Sequence, residues 1–123
     1  MRVLLSIKPK YAEAIFNGSK KFEYRRIIFK NENIKTVVVY ASSPISKVIG
    51  EFEIERILTD KPRCLWENTK EYSGVTQEFF DDYFADKDLG YAIKIKKAVR
   101  YANERCLVKE YNLKPPQSFL YLI

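Results

Sequence analysis

The stretch Leu5-Ser6-Ile7-Lys8-Pro9-Lys10-Tyr11-Ala12-Glu13-Ala14-Ile15-Phe16-Asn17-Gly18-Ser19-Lys20-Lys21-Phe22-Glu23-Tyr24-Arg25 contains a strand end, a short helix, a glycine and a second strand, and it closes on G-x-K-x-x-E-x-R. Arg2 to Ile7 are rich in Val, Leu and Ile and stop short of Pro9, which cannot donate to a ladder, so they read as a strand. Pro9 suits a first helical turn. Ala12, Ile15 and Phe16 then form an apolar stripe at helical spacing, and Gly18 is the residue expected just past a helix C-terminus. In the strand predicted over Lys21 to Ile28, Lys21, Glu23 and Arg25 share one face and Phe22 and Tyr24 the other. Strict alternation puts Lys20 opposite Glu23 and Arg25, so the three share a site only if the backbone bends between Gly18 and Lys21.

Working outward, Asn31 to Asn33 make a polar turn, and Thr36 to Ala41 form a β-branched and aromatic run that reads as a buried central strand, ended by Ser42-Ser43-Pro44. From Lys47 to Leu58, Val48, Gly50, Phe52 and Ile54 alternate with Glu51, Glu53 and Glu55. Tyr91 to Val99 sets Tyr91, Ile93 and Ile95 against Lys94 and Lys96, so antiparallel pairing of these two strands would place lysines across from glutamates. Between them lies an acidic insert. Asp60 with Pro62 reads as a helix start, and Thr76 caps a second helix whose Phe79, Phe80, Tyr83 and Phe84 read as core rather than as a stacking platform. The stretch from Val99 to Lys114 is weakly patterned, and Pro115-Pro116 bars a helix before a closing strand, Phe119 to Ile123. The expected class is α+β, one domain over residues 1–123, with five or six strands and about three short helices in a small mixed or closed β-sheet.

Composition narrows the chemistry. The 123 residues hold no histidine, which removes the commonest general base and metal ligand and leaves carboxylates, lysines and hydroxyls. Cys64 and Cys106 form no C-x-x-C pair, so packed, reduced thiols are expected. The apolar run Val3-Leu4-Leu5 is too short for a signal peptide or membrane span, which sets the expectation of a cytoplasmic protein without membrane contact. Neither a metal nor another cofactor is called for. Charge is uneven: residues 1–50 carry ten Lys/Arg against three acids, residues 51–90 five against eleven, and residues 91–123 seven against two. If the two basic segments meet in space, they make a positive face suited to a polyanion.

With Val39-Tyr40-Ala41-Ser42, Gly50-x-Phe52 and Pro115-Pro116-Gln117-Ser118-Phe119, the opening stretch resembles the ASCH domain over nearly the whole chain. The resemblance implies a PUA-like β-barrel with a cleft beside the first helix, lined by the Lys, Glu and Arg of the motif. It implies RNA or a modified nucleoside as partner. The candidate nucleic-acid-binding residues are Lys8, Lys20, Glu23, Arg25 and Arg26, with Ser42 and Ser43 at a strand end and Gln117 and Ser118 closing the cleft. Cations at these positions suit phosphates, and Glu23 suits an amino group on a base edge. The plainer readings are an ion pair from Glu23 to Arg25 or Lys20 that ties strand to helix, turn-forming hydroxyls at Ser42 and Ser43, and strand-end hydrogen bonds at Gln117 and Ser118. Some ASCH-like proteins are amidohydrolases on acetylated cytidine, and ribonuclease activity is also attributed to the family. For an enzyme, Lys20 and Glu23 would be the catalytic groups, although a threonine stands in the amidohydrolase pattern where this chain has Glu23. A third reading is a protein-interaction domain using the acidic insert.

Overall fold

Val37, Val38 and Val39 are all fully buried because both faces of their strand are covered. Val37 and Val39 join Val3, Leu5, Phe52 and Ile93 on one side, while Val38 joins Leu4, Val48 and Leu107 on the other. A β-branched run with no polar face can only be a central strand, as the sequence predicts. The computed structural model describes residues 1–123. Its strands are β1 (Arg2–Ile7), β2 (Phe22–Arg25), β3 (Thr36–Ala41), β4 (Lys47–Asp60), β5 (Gly90–Arg105) and β6 (Phe119–Leu122). Its helices are α1 (Pro9–Phe16), α2 (Pro62–Thr69) and α3 (Gln77–Tyr83), with a 3₁₀ turn over Lys70–Tyr72 and a π turn over Leu107–Tyr111.

The strands form one mixed sheet in the order β2-β5-β4-β3-β1-β6, with β1 and β3 parallel and every other neighbour pair antiparallel. The expected barrel is not closed, since β2 and β6 are the two edges and no ladder joins them. Side chains bridge the seam instead. Arg25 on β2 donates to the carbonyls of Ser118 at 2.9 Å and Ser6 at 3.4 Å, Phe29 packs on Phe119, and the Tyr121 hydroxyl accepts from the Lys30 and Asn31 N–H groups. Irregular pairing between β4 and β5 at Val48/Gly50, Glu53/Ile54 and Ile54/Arg56 adds the local twist that lets the sheet curl this far.

β4 and β5 pair antiparallel as predicted, with Glu53 across from Lys97 and Lys94 2.9 Å from Glu55. Both run longer than their alternation suggests, β5 reaching Arg105 because it pairs with the start of β4 at Val48. β2 is shorter than expected: its partner β5 begins at Gly90, so pairing ends at Arg25. Helix α1, with Pro9 in its first turn, buries Ala12 and Ile15 on the inner face of the sheet. Helices α2 and α3 cover Phe22, Tyr24 and Ala92 with Leu65, Phe80 and Phe84, and Thr76 caps α3 by accepting from the Phe79 N–H. Lys61 rather than Asp60 precedes α2.

Candidate functional site

The bend that the motif requires is present. Gly18 has φ +87°, a left-handed conformation that favours glycine, and the Lys20 N–H then donates back to the Ala14 carbonyl at the end of α1 at 3.0 Å. Lys21 continues the chain into the fold, donating to the Tyr72 carbonyl and accepting from the Ile95 N–H. Lys20 thus lies before the regular part of β2, freed from its alternation, and its side chain turns inward until only 2% of the residue is exposed. Gly74, at φ +68°, makes room for it: a Cβ there would stand 2.5 Å from the Lys20 stem. The ammonium donates to the Ser73 carbonyl at 2.6 Å and lies over the rings of Tyr24 and Tyr11, 4.8 and 5.5 Å from their centroids. Burial lowers the Lys20 pKa, and the nearby Glu23 carboxylate opposes that shift without reversing it.

Glu23 follows on the inner face of β2 and is 6% exposed. Its carboxylate meets Arg25 at 3.4 Å, and no direct ion pair joins it to Lys20. The guanidinium of Arg25 is already committed to Glu23 and to two backbone carbonyls. It therefore acts as a fastener across the seam, while Lys20 keeps donors free. Beside them opens a cleft of about 420 Å³, within the range of small-molecule sites.

Lys8, Lys20, Glu23, Arg25, Arg26, Gln117 and Ser118 all line this cleft. The Pro115-Pro116 segment is held there by the Ser6 hydroxyl, which donates to the Pro116 carbonyl at 2.8 Å, and by Arg25. Ser42 and Ser43 do not reach it. They belong to the turn after β3, in which the Ser42 carbonyl accepts from the Ile45 and Ser46 N–H groups.

Tyr11, Phe79 and Tyr83 also line the cleft, and the sequence did not single them out as site residues. Phe80 and Phe84 face the core as predicted, but Phe79 and Tyr83, one helical turn apart, present nearly parallel rings to the opening. The signal lay in the width of the apolar face of α3, broader than a single core contact needs. Lys8 lies over Phe79 and Arg26 over Tyr83, at 5.6 and 4.9 Å from the ring centroids. Burial raises the phenol pKa of Tyr83 and of Tyr11, and pushes that of Tyr24, which shares a 2.7 Å hydrogen bond with the Thr69 hydroxyl, up to about 12. No group of three or more His, Cys, Asp or Glu side chains stands together at metal-ligand spacing. The cleft thus offers cations and a buried carboxylate between aromatic walls, a set suited to a base with phosphate.

A family model described as the ASCH domain matches residues 5–103. The chain is 33% identical to the large ribosomal subunit protein uL22 of Ureaplasma parvum serovar 3, over 98% of this chain but only 39% of that longer protein. It is 28% identical to an ASCH domain-containing ribonuclease of Zymomonas mobilis, over 97% of this chain and 82% of that one. The crystal structure of ASCH from Zymomonas mobilis superposes with a TM-score of 0.91 at 25% identity, covering 99% of this chain and 87% of that one.

Proposed function

This chain belongs to the ASCH domain family, and on that premise we propose that it binds RNA through the cleft at the seam between β2 and the β1–β6 edge. The observation that carries the reading is Lys20, a buried ammonium with one hydrogen-bond acceptor, aimed into a cleft that also holds Glu23. A desolvated cation with spare donors is a strong phosphate ligand, because water competes poorly for it. Glu23 is fixed by Arg25 yet keeps lone pairs for a base amino group. The relative named as a ribonuclease, matched over most of both chains, supports the same reading.

A titration with a single-stranded RNA hexamer at two salt concentrations tests it. Two or three phosphate contacts predict a log affinity that falls by roughly 0.7 per contact for each tenfold rise in salt. Binding that is absent, or indifferent to salt, contradicts the proposal.

The 28% identity to a ribonuclease over most of both chains favours a second reading, RNA cleavage. A Lys20 whose pKa is lowered is neutral more often than a surface lysine and can take the proton of a ribose 2′-hydroxyl. The 2′-oxygen then attacks the adjacent phosphorus, the bond to the 5′-oxygen breaks, and that oxygen leaves with a proton from water, giving a 2′,3′-cyclic phosphate. Glu23 would orient the base. The two readings differ in sign with pH: phosphate binding by charged Lys20 weakens as pH rises through its lowered pKa, whereas cleavage accelerates. Incubating RNA with the wild type, Lys20→Met and Glu23→Gln separates them. Cyclic-phosphate ends that disappear in Lys20→Met support cleavage, and their absence from the wild type leaves binding alone. Acetylcytidine in the same experiment tests the amidohydrolase alternative, for which turnover unaffected by Glu23→Gln excludes this site.

A further inference from the structure

The aromatic wall of the cleft is covered in the free protein by the cations expected to hold phosphate. Phe79 and Tyr83 lie 5.9 Å apart at 12° to one another, both half-buried and both lining the opening. Lys8, at the start of α1, lies over Phe79, and Arg26, just past the end of β2, lies over Tyr83. Lys8 and Arg26 are exposed and neither has a carboxylate partner within ion-pair distance. Their side chains make no hydrogen bond and no ion pair, so at this wall the charged ends rest on the rings alone. Buried Lys20, in contrast, is fixed by Ser73 and two tyrosines.

We infer that Phe79 and Tyr83 form the base-stacking face of the site and that Lys8 and Arg26 leave these rings for the flanking phosphates when an unpaired nucleotide enters. The inference rests on the RNA-binding reading and adds a ligand class, an unpaired base carrying phosphate. A nucleoside alone must displace a cation from a ring and give it nothing in return, at a cost of about two- to fivefold in affinity for each cation displaced. A nucleotide returns a phosphate to the displaced cation while its base gains about five- to 150-fold by stacking. The exchange makes the two halves of the ligand cooperate: the base opens the cations, and the phosphate holds them open. Double-stranded RNA, whose bases are already stacked and paired, is excluded from the wall.

Calorimetric titration of the full chain with adenosine, adenosine 5′-monophosphate and a single-stranded adenylate hexamer tests this, with Arg26→Gln and Tyr83→Leu alongside the wild type. The wild type binds the monophosphate at least tenfold more tightly than adenosine. Arg26→Gln, an exposed change that leaves the core untouched, separates the two ligands: adenosine affinity holds or rises up to about fivefold, while monophosphate affinity falls. Tyr83→Leu, which keeps an apolar side chain against Phe84, weakens the hexamer more than tenfold at a temperature where its far-UV circular dichroism shows it folded, and a hexamer affinity equal to wild type overturns the stacking face. If Arg26→Gln weakens adenosine and monophosphate together, or moves neither, the exchange is wrong although RNA binding stands. If the wild type binds none of the three, the RNA-binding reading fails with it.

Discussion

Glu55 and Lys94 meet at 2.9 Å across β4 and β5 with 44% and 33% of their side chains exposed, whereas Glu23 and Arg25 meet at 3.4 Å on β2 with 8% and 11% exposed. Both pairs join a strand glutamate to a basic side chain, the first across two neighbouring strands and the second between alternate positions of one strand. Water makes the difference. Around Glu55 it screens the attraction and can replace either partner, so such a pair is worth little. Around Glu23 little water has access, so each charge leans on protein partners, and Arg25 spends its remaining donors on the carbonyls of Ser6 and Ser118. The shorter contact is thus the dispensable one. Glu23 and Lys20 line the cleft because the interior holds them there, while Glu53 and Glu55 of β4 and Lys96 and Lys97 of β5 are exposed to solvent.

The contrast breaks most visibly at Arg25. Arg25→Ala strands the Glu23 carboxylate and removes the fastener across the seam, so urea unfolding should show a loss of about 3 kcal/mol. A loss below about 1 kcal/mol would make this pair no different from a surface pair. Lys20→Met comes next, because it keeps an unbranched stem in the space beside Gly74 and deletes only the charge. Stability should stay within about 1 kcal/mol of wild type, since a buried charge costs as much to desolvate as it returns, while RNA affinity drops at least about tenfold. A parallel fall in stability would mark Lys20 as a structural tie.

The acid–base behaviour of the same interior gives a smaller effect. The folded pKa of Tyr24 stands at about 12 against 10.0 for a free phenol. Its contribution to stability is therefore complete below pH 10 and is lost as pH climbs through about 12. Lys20 works in the other direction, because its folded pKa is lowered: the cost of its charge is present at low pH and is relieved as pH rises through that lowered value. Tyr24→Phe keeps the ring under Lys20 and removes the phenol, so denaturant midpoints followed between pH 10 and 12 should fall less steeply than in the wild type. The smallest effect belongs to Glu55→Gln, for which the unfolding midpoint and the RNA affinity should both match wild type; a clear loss in either would erase the contrast.

The sequence showed every strand, because Val and Ile runs and strict alternation report burial on one face or two. It also placed α1 through Pro9, α3 through the Thr76 cap and the need for a bend through Gly18. Strand ends were less legible. β2 stops where β5 starts and β5 continues while β4 lasts, so each limit belongs to a partner distant in the chain. The π turn over Leu107–Tyr111 hid in a stretch whose one buried residue, Leu107, makes no period. Closure of the sheet was misread for a related reason: strand count and short connections suit a barrel, but only Arg25, Phe29 and Tyr121 reveal that side chains bridge the seam where a ladder would. At the site, the charged residues of the motif were visible because charges at strand positions are conspicuous. Phe79 and Tyr83 were not, since helical periodicity shows that a face packs without showing that half of it looks into a cleft. Ser42 and Ser43 were grouped with the cleft, but they lie in the turn after β3 and do not line it.

Backbone chemical shifts recorded while a single-stranded RNA hexamer is added test the central claim most directly. The account predicts changes concentrated at Lys8, Lys20 to Arg26, Phe79, Tyr83, Gln117 and Ser118, with Glu51 to Glu55 and Lys94 to Lys97 silent. Changes centred on the β4–β5 face or on α2, with the seam unmoved, would contradict it.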